Sequence, residues 1–119
     1  VKKSVVSQIG PMALEFEEEK VLIFFGPQAP EELKEVAVIH EIHEHHEKPI
    51  SAGDTLMIDD QTYHIVKVGT EANKNLNELG HISIYFTEAP EDVLPGSIYA
   101  TPHVYPKIVE GSQIEFLKK

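Results

Sequence analysis

The chain has 119 residues, near the commonest size of one compact domain, and a formal net charge of −10, which opposes nucleic-acid binding because phosphates require clustered Lys and Arg. Cysteine is absent, which removes disulfides, thiol catalysis and thiolate metal sites and favours a cytoplasmic location. At 41% hydrophobic and 25% charged residues it reads as a soluble globular chain whose apolar runs fall far short of a membrane span, and no charged-then-apolar leader opens it.

Taken in order, Lys2 to Ile9 alternates weakly and stops at Gly10-Pro11, which predicts a strand. Glu15 to Lys20 is acidic, and Val21 to Phe25 is a continuous apolar run closed by Gly26-Pro27, a core strand. Pro30 ahead of Glu31, Glu32, Leu33 and Lys34 supplies the proline and acids of a helix's first turn, so one or two helical turns are predicted near Pro30 to Glu35. Val36 to Ile42 is rich in β-branched residues and predicts a strand with Val36, Val38, His40 and Ile42 on one face and Ala37, Ile39, Glu41 and His43 on the other. The apolar signal ends there, which assigns His43, His45 and His46 to a loop.

Asp54 to Ile58 and Thr62 to Val68 form a predicted hairpin around Asp59-Asp60-Gln61. His64 shares a face with Val66 and Val68, which makes it a core histidine needing one hydrogen bond. Glu71 to Leu79 sets Ala72, Leu76 and Leu79 at helical spacing before Gly80, a helix stop. Three more strands are predicted at His81 to Phe86, Gly96 to Thr101 and Gln113 to Leu117. The sum is a mainly β, single barrel-like domain over residues 1–119, of about seven or eight short strands with one or two short helices; patterning alone leaves barrel and sandwich open.

Four of the seven histidines lie between His40 and His46, and imidazole serves as nucleophile, proton shuttle or metal ligand. His40 is framed by apolar strand residues, whereas His43, His45 and His46 are not. A zinc-protease helix motif fails, since His40 and His43 are three apart on a strand. A cupin-like set of His43, His45, Glu47 and His64 comes closer, but Glu47 follows His45 too soon and the glycine expected before the first histidine is missing. A small metal-binding cupin-like β-barrel is therefore the alternative, and no metal or other cofactor is expected.

Ile39-His40 after a short acidic segment, Val66-Lys67-Val68-Gly69 after His64, Asn75-Leu76-x-Glu78-Leu79-Gly80-His81, and the Pro95-Gly96-Ser97-Ile98 turn carry a resemblance over nearly the whole chain. With them the sequence resembles the glucitol/sorbitol-specific enzyme IIA component of the phosphoenolpyruvate-dependent sugar phosphotransferase system. The resemblance implies a β barrel-like domain in which His40 is phosphorylated by the phosphocarrier protein HPr and passes the group to a cysteine of the IIB component. It implies as partners HPr and the IIB/IIC membrane components, with polyol recognition left to those components.

A histidine nucleophile must be neutral at the attacking nitrogen, with the other nitrogen held by an acceptor. Phosphoryl transfer then depends on in-line placement and on donors that meet the moving charge. Glu41, Glu44 and Glu47 would repel that charge and are expected to point away. His81 and His43 are the candidate helpers, and His103 is read as structural or exposed.

Overall fold

The computed structural model describes residues 2–44 and 49–119, the side chains of Lys2 and Glu44 excepted. Eight strands lie among the described residues: β1 (Lys2–Ile9), β2 (Val21–Phe25), β3 (Val38–Glu44), β4 (Thr55–Ile58), β5 (Gln61–Val68), β6 (Ile82–Tyr85), β7 (Ser97–Thr101) and β8 (Gln113–Leu117). Two short α-helices, α1 (Glu31–Lys34) and α2 (Ala72–Leu79), and a 3-10 turn at Ala13–Phe16 complete the elements. The strands form a closed barrel in the order β1-β3-β2-β6-β7-β5-β4-β8, β8 pairing back onto β1. Closure leaves no unpaired sheet edge, which is how the barrel and not the sandwich resolves the pattern.

Most neighbours run antiparallel; β2/β3 and β6/β7 are parallel. A parallel pair needs a crossover, and the one from β2 to β3 carries α1 across the outer wall. It lays Ala29 on Ala37 and Ile39, with Ile23 and Phe25 alongside, as a small apolar cluster outside the barrel. That is why β3 is apolar on both faces at its start: Val38 and His40 face inward, while Ile39, with Ala37 just ahead of the strand, lies under the crossover. The interior is filled by Leu22, Phe24, Leu56, Ile58, Ile65, Ile82, Ile84, Ile98 and Ile114, and α2 adds Ala72 and Leu76 to the same core.

Three expectations change. Val36 closes the turn after α1, its N–H bonded to the Leu33 carbonyl, so β3 starts at Val38. Pairing with β1 then carries β3 to Glu44, which puts His43 on a strand and not in a loop. His64 is exposed, not a core histidine: Tyr63 and Ile65 face inward instead. The misleading alternation comes from a bulge, since Ile65 pairs with Ala100 and Lys67 with Tyr99 while Val66 is left over. The extra residue lets Ile65 and Val68, three apart, both pack on the core while Val66 stays 47% exposed. The expectations for His45, His46 and Glu47 fall outside the described residues.

Candidate functional site

His40 lies on the inward face of β3 and is only 2% exposed. The β1/β3 register sets Val6 opposite His40 and Ser4 opposite Ile42, so Ser4 is the diagonal inward neighbour of the ring. Its Oγ lies 2.7 Å from His40 Nδ1. The Phe24 ring meets the imidazole edge to face, with centroids 5.1 Å apart. On the far side Nε2 lies 2.7 Å from the carbonyl oxygen of Gly80. A carbonyl only accepts, so Nε2 carries a proton and donates it; in the neutral ring Nδ1 is then the acceptor for the Ser4 hydroxyl.

Gly80 is placed by its own chemistry. It caps α2 in the left-handed region at φ 67°, with its N–H on the Leu76 carbonyl at 3.0 Å. A Cβ there would sit 2.7 Å from the backbone nitrogen of Gly26, so the close approach of the two turns admits only glycine. The Gly26 N–H and the Gln28 side-chain amide both donate to the Leu79 carbonyl at 3.0 Å, tying the turn after β2 to the end of α2.

Between these turns a cleft of about 190 Å³ reaches His40. Its walls are Gly26, Pro27 and Gln28, then His40 and Ile42 of β3, then Leu76, Asn77, Glu78 and Gly80. No lysine lines it among the described residues, the chain has no arginine, and Glu78 brings a carboxylate to its edge. A buried imidazole held from both sides beside a small cleft is suited to taking up an electrophilic group delivered from outside.

The other candidates are not gathered around that cleft. His43 is exposed and borders a separate groove of about 200 Å³ shared with Lys3, Ser4, Val5 and residues of β8. His81, half-buried just ahead of β6, stacks on Phe25 at 4.1 Å and donates from Nδ1 to the Phe24 carbonyl at 3.1 Å. Glu41 is exposed on the face of β3 opposite His40. His103 is exposed, and its carbonyl accepts from the Lys20 ammonium.

Of the ligand set of the metal alternative, the two members among the described residues are not brought together. His43 on β3 and His64 on β5 are both exposed, on strands four places apart around an eight-stranded barrel. Among the described residues no three His, Cys, Asp or Glu side chains are placed to hold a metal ion. Sequence reasoning missed Ser4 and Gly80 as partners of His40. Gly80 carried one signal, a glycine ending a helix, whereas Ser4 shows only once the register of β1 against β3 is known.

Known proteins agree with this architecture. Residues 1–115 match the family described as "PTS system glucitol/sorbitol-specific IIA component". The chain is 28% identical over 116 residues to the "PTS system glucitol/sorbitol-specific EIIA component" of Escherichia coli (strain K12), spanning 98% of this chain and 94% of that protein. The Shigella flexneri protein of the same description matches to the same extent. Among solved structures, "The Crystal Structure of PTS System IIA Component from Enterococcus faecalis V583" superposes with a TM-score of 0.91 at 39% identity, covering 97% of this chain and 98% of that one. With the sequence match running across nearly its whole length and the same fold recurring in a solved relative, the chain belongs to the glucitol/sorbitol-specific IIA component family of the sugar phosphotransferase system.

Proposed function

We propose that this protein, as one domain over residues 1–119, is a phosphoryl carrier that accepts phosphate from phosphorylated HPr on His40 and hands it to the IIB component during glucitol/sorbitol uptake. The observation that carries the reading is His40 itself, buried, fixed in one tautomer and bordering a cleft. It is also the histidine of the Ile39-His40 pair through which the chain resembles the family. The protein completes no net reaction alone; it takes the group and gives it up.

Positioning does most of the work in such a transfer, because the phosphoryl group passes in line between two nucleophiles with little covalent help. Among the described residues no lysine lines the cleft, and in this reading the charge on the moving oxygens is met by the incoming partner. A net charge of −10 suits a basic donor surface. His81 and His43 act as auxiliary groups in this reading: His81 steadies Phe24 and Phe25 behind the ring, and His43 stands with Lys3 where a partner would approach. We place the relay in the cytoplasm beside the IIB/IIC components. No helix among the described residues is long and apolar enough to cross a membrane.

The test is incubation with phosphorylated HPr followed by mass spectrometry. One acid-labile phosphoryl group on the wild type and none on His40→Gln is the expected result. Labelling of the variant to the wild-type extent overturns the assignment.

A further inference from the structure

We infer that Glu78 keeps the hold on the phosphoryl group weak: its carboxylate, on the wall of the His40 cleft, disfavours the phosphorylated state and so favours passing the group onward. The inference rests on the phosphoryl-carrier reading of His40 and adds what sets the energy of that state.

Glu78 stands where the local chemistry of the helix disfavours it. It lies in the last turn of α2 (Ala72–Leu79), where the helix dipole gathers negative charge and a basic side chain is the favourable choice. That turn holds no basic residue. The Glu78 side chain is exposed and, among the described residues, forms no hydrogen bond or ion pair that offsets the repulsion. Nothing within α2 accounts for an acid at this position.

What the carboxylate does share is the cleft. Glu78 lines it with His40, and the other polar side chains on the same wall, Gln28 and Asn77, are uncharged amides. Sites that hold phosphate firmly are built the opposite way, from helix N-termini and cations. Here the C-terminal end of a helix and an acid face the place where a phosphoryl group on His40 would bring about two negative charges.

The consequence is thermodynamic. In the transfer the bond from phosphorus to the donor breaks with its electron pair left on the donor, while a lone pair of the His40 ring forms the new P–N bond; no third reactant enters. Glu78 carries the same charge before and after, so its repulsion falls on the product alone. A cationic partner over the cleft offsets that repulsion, and its departure restores it. Across a solvent-screened cleft the effect is about threefold in the transfer equilibrium.

The test mixes phospho-HPr and the protein at known totals, approaches equilibrium from both directions, and reads the phosphorylated fractions by intact-mass spectrometry. In Glu78→Gln the ratio should move about threefold towards the phosphorylated carrier at low salt and by less at high salt, while Glu78→Asp stays near wild type. Glu88→Gln, the same loss of charge beyond the end of β6 remote from Gly80, should leave the ratio unchanged. Asn77→Lys, which brings a cation to the same wall, should move the ratio as Glu78→Gln does, and it decides the matter if Glu78→Gln fails to fold. Urea unfolding should find Glu78→Gln at least as stable as wild type, since an unfavourable charge leaves the helix end. An unmoved ratio with slower acceptance makes Glu78 a contact of the donor, and an unmoved ratio with lost stability makes it structural; either overturns the inference and leaves the carrier reading standing. No phosphate on wild-type His40 overturns both.

Discussion

The carbonyl of Gly80 and Nε2 of His40 meet at 2.7 Å although forty residues separate them in the chain. The end of α2 therefore decides the protonation pattern of a ring on β3, and a change in how that helix stops reaches the imidazole without touching it.

Gly80→Ala adds a Cβ in the left-handed region and against Gly26, so we expect a loss of about 2 kcal/mol in urea unfolding together with slowed phosphate acceptance. Gly111→Ala is the control. Its φ is also positive, at 91°, but nothing lies within 4 Å of the added carbon. It should cost about 1 kcal/mol of backbone strain and leave acceptance unchanged. Equal loss of acceptance in both variants would separate the site from the Gly80 contact.

His40→Gln should abolish labelling by phospho-HPr while the thermal unfolding transition stays cooperative, since glutamine retains polar groups for hydrogen bonding. His43→Ala should be labelled nearly as fast as wild type, because His43 is exposed and does not line the His40 cleft. His81→Ala removes the stack on Phe25 and a hydrogen bond to Phe24, so it should lower stability by about 1 kcal/mol and slow transfer by less than tenfold. A hundredfold loss at His81 would place it at the phosphoryl oxygens instead.

Chelation with EDTA should leave phosphate acceptance unchanged, because His43 and His64, two members of the cupin-like set, stand far apart around the barrel. Lost acceptance restored by one particular divalent ion would revive the metal alternative.

Asp54 gives the pH dependence of stability. Burial by itself raises its carboxyl, but the Lys118 ammonium at 2.7 Å and the N–H groups of Ser51 and Lys119 outweigh that and hold it below the usual value. A carboxyl lowered by folding contributes stability that is present above its unfolded value, about 3.9, and is lost as pH falls through the folded one. Chemical denaturation should thus show stability declining below about pH 4. Asp54→Asn should flatten part of that decline and cost about 2 kcal/mol at pH 7, since it strips a charged acceptor from Lys118 and two backbone donors. A variant with the wild-type acid slope would deny Asp54 this role.

Much of the barrel was legible because its wall is built of short β-branched and aromatic runs between Gly and Pro turns, and local patterning is enough to find such runs. The inward phase of His40 followed from Val38 and Ile42 on the same face. The phase of β5 did not follow, because one leftover residue at Val66 exchanges the faces on either side of it and nothing in Tyr63 to Val68 announces a bulge. Closure was out of reach for another reason: β1 joins β3 to β8, and pairings between such distant segments leave no local trace. The partners of His40 were hidden in the same way. One is a serine whose meaning depends on register, and the other is a backbone carbonyl, a group every residue has.

Ser4, His40 and Gly80 come from β1, β3 and the end of α2, segments that meet only through long-range pairing. No local stretch of chain contains all three, and a partly unfolded molecule keeps the histidine but loses the partners that set its tautomer. If His40 is the acceptor, as proposed, phosphate-accepting capacity would be gained only as those segments come together, and lost when any of the three lets go. On that reading a misfolded copy would not drain high-energy phosphate from the donor pool, and the energy of the relay would be spent only by molecules able to pass it on.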